Sequence, residues 1–235
     1  MGKKTKSKPQ NKLPTTSTIL RIANSLTTLK NLHIAPDHFH APPHVIRFYD
    51  SPHASSATFL PAALALFEEN MEALYETSSF GYDRQEKLEE LGDQKHARFI
   101  VVEQEQEEQT EQTEQTEQEK EKEQNGQDQT DLIAFSHFRF CPDDDDKPTN
   151  KQQPVVYCYE LQVGSKHQGK KLGKMLMHML EEIAKGAGCG KVMLTVFKSN
   201  VNALGFYRRL GYKEDESDPS NFGEESDYFI LSLVV

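Results

Sequence analysis

Apolar residues recur along this chain with two different periods, and each change of period marks an element. Ile19, Ile22, Ala23, Leu26 and Leu29 lie at helical spacing, and so do Leu64, Phe67, Met71, Leu74 and Tyr75, with Pro61 tolerated in the first turn of the second helix. Residues 33–58 are punctuated by prolines and predict an irregular connector. Residues 83–91, DRQEKLEEL, predict a charged surface helix. Arg98–Val102 and Asp131–Phe140 are rich in β-formers, and the second alternates its faces; Val155–Val163, VVYCYELQV, is the strongest strand pattern. From Leu172 the helical period returns through Met175, Leu176, Met179, Leu180 and Ile183, closed by Gly186 and Gly188. Lys191–Phe197 then predicts a strand, Asn202–Leu210 a helix and Tyr228–Val234 a final strand. This order defines an α/β chain with a mixed central β-sheet flanked by helices.

Composition alters that picture at one place. Only 36% of the 235 residues are hydrophobic, low for a globular chain, and the deficit is local. Residues 103–130 hold eleven acidic side chains against Lys120 and Lys122, and account for −9 of the net charge of −10. The acidic balance therefore describes a solvated segment and carries no information about a site. Lying between two predicted strands, the segment reads as an overgrown hairpin loop, because long polar insertions cost little closure entropy. The first twelve residues carry five lysines, which fit either a solubilising tail or a nuclear-import or nucleic-acid-contacting patch. Cys141, Cys158 and Cys189 are odd in number and share no metal-ligand spacing, which points to a reducing compartment and to no structural metal. No apolar run reaches the length of a membrane span, and the N-terminus lacks the hydrophobic stretch of a signal peptide, so no membrane partner is expected. His96, His137, His167 and His178 share no spacing and read as structural or solvated.

The segment with most chemistry is Glu160–Lys174, ELQVGSKHQGKKLGK. A strand enters a short loop of Gly and Lys and then a helix, so that free backbone N–H groups and the positive end of the helix dipole meet at an anion site. Lys166, Lys170, Lys171 and Lys174 add charge; alone, the pattern fits an ordinary strand-to-helix turn equally well. Downstream, Asn200-x-x-Ala203-x-x-Phe206-Tyr207 follows the next strand and leads into Leu210-Gly211-Tyr212. This pairing of a Q-x-x-G-x-G-like loop with an N-x-x-A-x-x-F-Y segment resembles the GNAT acetyltransferases. That resemblance implies acetyl-CoA as co-substrate, with no metal. Leu161, Gln162 and Val163 would contact the acetyl and pantetheine portion, Gln168, Gly169, Lys170, Lys171, Leu172, Gly173 and Lys174 would cradle the pyrophosphate, and Asn200 would meet the pantetheine arm. Lys171 stands where the family has a glycine. A positive φ would be costly there; the preferred reading is that its N–H still serves and its ammonium adds a phosphate contact.

Within that family, Asn70–Leu91, AFSHFRF (Ala134–Phe140), YCYELQ, VMLTVFKSN and DYFILS resemble NatD, the histone N-terminal acetyltransferases. The chain then divides into a basic disordered tail, 1–16, and one acetyltransferase domain, 17–235, carrying the acidic loop insertion at 103–130. By this resemblance Tyr75, Phe80, Tyr157, Tyr159, Thr195 and Tyr228 would line a peptide site, with Phe80 in place of the family's usual Trp, and Asp143 would be the acidic group beyond the FRF strand. The implied substrates are histone N-terminal peptides beginning Ser-Gly-Arg-Gly, in nucleus and cytoplasm. No direct nucleic acid is required, and the basic tail is a candidate contact to chromatin or ribosome. The residues themselves fit such chemistry. An α-amine has a pKa near roughly 8, and a carboxylate such as Glu160 can take its proton as nitrogen attacks a thioester, while Tyr207 can protonate the departing thiolate. Two plainer alternatives stand beside this: Glu160 as a strand-end ion-pair partner, and Tyr157, Tyr159 and Phe206 as core aromatics. Two other functions also stay open, a transferase for other N-termini, lysines or small amines, and a non-catalytic acyl-CoA-binding protein.

Overall fold

The computed structural model describes residues 44–50, 57–104, 132–142 and 154–235, together with the helical Arg21. Seven strands form one sheet: β1 (His44–Tyr49), β2 (Arg98–Gln104), β3 (Leu132–Cys141), β4 (Val155–Val163), β5 (Lys191–Phe197), β6 (Lys213–Glu214) and β7 (Tyr228–Val234), in the spatial order β1-β2-β3-β4-β5-β7-β6. All neighbours are antiparallel except β4 and β5. A parallel pair needs a crossover, and helix α3 (Leu172–Ala187) supplies it. The other described helices are α1 (Leu60–Glu76), α2 (Arg84–Leu91) and α4 (Val201–Arg209).

The sheet is covered on both faces, which gives two cores. On one face the stripe Leu172, Leu176, Leu180 and Ile183 of α3 packs with Phe138, Val156, Cys158 and Leu194, all buried. On the other, Phe67 and Leu64 of α1 pack with Phe59, Phe99, Val101 and Phe135. Burying each such side chain contributes about 1.5–3 kcal/mol, so α3 and α1 are fixed on the sheet more firmly than their own helical propensity could manage. Their ends are equally determined. Gly188 takes φ 76° to close α3, the left-handed turn that glycine makes at least cost. The Asp83 carboxylate accepts from the N–H groups of Gln85 and Glu86 to start α2.

Two strands depart from the sequence expectation. Residues 44–49, expected to be irregular, form edge strand β1, paired from His44↔Gln104 to Tyr49↔Phe99. The alternation of Ile46 and Phe48, both packed on a core, is hidden by the prolines that flank it. The two-residue β6 is too short to show a period at all. Strand β2 also runs to Gln104, into the expected insertion, and Arg47 pairs with Glu103 across the edge at 2.6 Å. The predicted helix over 19–29 (apart from Arg21), the 1–16 tail, residues 105–131 and Asp143 lie outside the described residues.

Candidate active site

Strands β4 and β5 part company halfway along. Their pairing runs from Val155↔Lys191 to Cys158↔Leu194 and stops. Beyond it, Tyr159–Val163 and Thr195–Phe197 border a gap, since β3 and β7 hold them from their outer sides. Backbone groups of an extended strand alternate in direction, so part of the β4 edge faces this gap without a strand partner. A cavity of about 460 Å³ opens there, walled by Cys158, Glu160, Leu161 and Gln162 on one side and Thr195, Val196 and Phe197 on the other.

A β-bulge sits where the gap begins. In the β3–β4 ladder Phe138 faces Cys158 but His137 faces Glu160, so Tyr159 is an extra, unpaired residue. Strict alternation would place Glu160 on the same face as Cys158, in the core under α3. The bulge reverses the parity: Leu161 and Val163 pack towards that core, while Glu160 and Gln162 turn to the opposite face, towards α1 and α2.

There Glu160 is 4% exposed and Lys87 of α2 is 7% exposed. Lys87 Nζ lies 2.9 Å from Glu160 Oε1 and 2.8 Å from Glu90 Oε1. Gln162 Nε2 donates to Glu160 Oε2 at 2.8 Å, and Asn70 Nδ2 of α1 donates to Gln162 Oε1 at 3.0 Å. Burial pushes the Glu160 carboxyl above the usual carboxylate range, opposed by the ammonium of Lys87. Burial would lower Lys87, but the Glu160 and Glu90 carboxylates outweigh it and hold the ammonium above its ordinary value. Residues 83–91 are therefore a surface helix on one side only. Lys87 and Leu91, one helical turn apart, face inward, a pair of one charged and one apolar position that gives the sequence no apolar face to reveal Lys87.

Tyr207 of α4 lines the same cavity. Burial, then Cys158 and Glu160, raise its phenol well above the usual value, so the proton stays on at neutral pH. Cys158 donates from Sγ to the Glu160 carbonyl at 3.4 Å, and burial pushes its thiol up, so it is not a thiolate nucleophile. The mouth is aromatic. Tyr75 packs edge-on to Phe197 at 5.0 Å; Tyr157 bonds Thr195 through its hydroxyl; Tyr159 lies 4.5 Å beneath the Arg139 guanidinium. Phe80 is 56% exposed and stacks on Tyr228 at 5.2 Å. Its loop is fixed by Ser79, which donates from Oγ to Asp227 at 2.8 Å. Tyr228 stands behind Phe80 and does not itself wall the cavity. Asp83, the cap of α2, and Glu86 and Glu90 within it also line the cavity; these acidic groups were not foreseen.

At the far end of β4 comes the loop of Ser165–Lys171 and then the start of α3. Gly169 has φ 74° and Lys171 φ 68°, the latter the sole non-glycine with positive φ among the described residues. A left-handed lysine costs roughly 1–2 kcal/mol, so the family's glycine position keeps its backbone shape here despite the side chain. Lys171 is the N-cap and makes no side-chain cap bond, which leaves the first N–H groups of α3 for another acceptor. At Gly173 the helix start packs against the Phe206 ring, which an added Cβ would meet in ordinary van der Waals contact at 3.4 Å. Lys166, Lys170, Lys171 and Lys174 are all exposed, and burial together with Lys170, His44 and Lys166 lowers the His167 imidazole. Of the residues expected to meet the coenzyme, Leu161, Gln162 and Asn200 line the cavity; Val163 and Gln168–Lys174 lie beyond it. The Gln162 side chain serves Glu160 instead. Asn200 spends its Oδ1 capping α4 through Ala203 N–H at 3.1 Å. Among the described residues no group of three His, Cys, Asp or Glu could hold a metal ion.

A splayed parallel pair above a left-handed loop that starts a helix is a family architecture, and residues 63–212 match the acetyltransferase (GNAT) family. The chain belongs to that family. A spermine/spermidine N(1)-acetyltransferase of Bacillus subtilis is 29% identical over 84 residues, 35% of this chain and 53% of that protein. The chain thus spans about half the length of that curated relative. Arabidopsis thaliana NAA60, solved with a bisubstrate analogue and with acetyl-CoA, superposes with a TM-score of 0.52 and 13% identity over 81% of this chain and 99% of that one; at that identity the likeness concerns the fold.

Proposed function

We propose that this chain is an N-alpha-acetyltransferase of the NatD kind, which moves an acetyl group from acetyl-CoA to the free N-terminus of Ser-Gly-Arg-Gly histone peptides in nucleus and cytoplasm. One observation carries the reading: a buried carboxylate and a buried phenol, Glu160 and Tyr207, share a cavity at the point where β4 and β5 separate. The residues present fit acetyl-CoA. A narrow gap edged by unpartnered backbone suits a pantetheine arm, and the left-handed loop, uncapped helix start and four lysines suit its phosphates. Acetyl-CoA supplies the thioester acyl group; the chain supplies everything else.

Glu160 is placed to receive the amine proton. Each of its oxygens accepts one hydrogen bond, from Lys87 or Gln162, and a carboxylate has about four acceptor positions, so both oxygens keep room for the amine or a water. The β4 N–H groups facing the gap can hold a developing oxyanion. Tyr207 keeps its proton at neutral pH and can give it to a departing thiolate. Both substrates sit in one open gap, which favours direct transfer without an acyl-enzyme. The aromatic mouth of Tyr75, Phe80 and Tyr159 suits small first residues, and Glu86 and Glu90 suit a cationic third residue, a role for which the sequence resemblance offers Asp143. The same acidic wall and the polyamine-acetylating relative favour a second reading, a polyamine substrate.

A panel decides between them: a free Ser-Gly-Arg-Gly peptide, the same peptide N-terminally blocked with an internal lysine, a peptide with a bulky first residue, and spermidine. The free peptide should lead in kcat/KM by about 10²-fold or more. Preference for spermidine or for the blocked peptide would overturn the N-terminal reading. Coenzyme binding without any turnover would point to a non-catalytic protein.

A further inference from the structure

Glu160 is only 4% exposed at the wall of the cavity, and a carboxylate buried to that degree ordinarily escapes its charge by keeping a proton. Fully buried glutamates without a counterion titrate as much as 3–5 units high, which would leave Glu160 protonated and useless as a base at neutral pH. The groups that face it are few. Tyr75 from α1 and Tyr207 from α4 are neutral phenols, and Cys158, on the opposite face of β4 yet close enough to interact, is a neutral thiol, each held above its ordinary value by burial first. His137, opposite Glu160 on β3, is driven by burial well below its usual value and is neutral. Glu90 from α2 is an acid and works against ionisation. Lys87 is the cation among these groups, at 2.9 Å. It cannot turn away to solvent, because its ammonium lies 4.6 Å from the ring centre of Phe67 and 5.1 Å from that of Tyr75, and Glu90 anchors it on the other side.

We infer that Lys87 is a positioning residue for the transfer reaction, a buried counterion that keeps Glu160 ionised and oriented as the proton acceptor. The inference rests on Glu160 being the base. It gives α2, otherwise a surface helix, a direct part in the chemistry.

The test uses the full chain with acetyl-CoA and a Ser-Gly-Arg-Gly peptide, and the variants K87M, K87R and E160Q. In K87M, kcat at pH 7 should fall by about 10²-fold or more, with the KM for acetyl-CoA nearly unchanged. The acidic limb of the kcat profile should move up by about 2 pH units, so that activity returns in part in alkaline solution. K87R should restore the wild-type limb. Infrared difference spectra, which do not depend on the substrate's own titration, should show a protonated-carboxyl band at neutral pH in K87M and none in wild type or in K87M/E160Q. If K87M does not fold, K87Q keeps a hydrogen-bond donor, removes the charge and gives the same two readouts. An unmoved limb together with no new carboxyl band would overturn the role of Lys87 while E160Q stays inactive. Near-normal turnover in E160Q would instead remove Glu160 as the base, whatever Lys87 does.

Discussion

Where β4 runs into α3, the molecule presents four exposed lysines, an uncapped helix start and two left-handed backbone positions. Where the same strand passes α1 and α2, it buries a carboxylate against an ammonium and surrounds both with aromatic rings. The first region offers charge in water, where salt screens it over about 10 Å or less. It suits a flexible polyanion that must arrive and leave. The second offers charge out of water, where each partner shifts the other's protonation and screening hardly reaches. It suits a proton that must move at a set pH. On the proposed reading, binding and chemistry are thus separated along one strand, and each responds to a different variable.

The largest test of that separation is E160Q. It keeps the shape and removes the base, so kcat should fall by about 10²–10⁴-fold while acetyl-CoA affinity, read by calorimetry, stays within about twofold. Equal losses in both would mean that the two regions are one. Next comes the lysine loop. Replacing Lys166, Lys170 and Lys174 by Ala should raise the KM for acetyl-CoA by about tenfold in dilute buffer and by much less at 1 M salt, with kcat preserved; a salt-independent change would show that these lysines act through structure. The smallest effect belongs to Asn200→Ala, which removes the cap of α4 between the two regions. Denaturant unfolding should register a loss of about 1 kcal/mol, whereas a main role in holding coenzyme would appear in acetyl-CoA affinity instead.

The same contrast governs how much could be read from the sequence. The lysine loop is one continuous stretch from Lys166 to Lys174 on a helix start, so its residues and spacing were all visible together, down to the odd Lys171. The helix stripe Leu172–Ile183 and the strand Val155–Val163 were visible for the same reason, since each carries its own period. The buried carboxylate cluster joins Lys87, Glu160, Gln162 and Asn70 from three separate elements. Lys87 looked like one charge among many in DRQEKLEEL, because a helix face shows in the sequence only when most of its inward positions are apolar. Gln162 was expected at the coenzyme; its side chain turns to Glu160 because the ladder slips one residue at Tyr159. Strand β1 was hidden by its prolines. Register and tertiary pairing decide all three, and neither is a local property of the chain.

That slip at Tyr159 also separates two things that could change independently over a lineage. The ladder does not count Tyr159: a strand that lacked it would still send Cys158 and Leu161 into the core and Glu160 to the cavity wall. What it would lose is the bend away from β5 at the last paired residue, and the aromatic ring held under Arg139 at the entrance. The ring at the entrance is therefore placed by a residue the ladder does not count, while the buried carboxylate is placed by the register of its neighbours. On the proposed reading, a change of ring at the entrance alters which amine enters without moving the carboxylate that takes its proton.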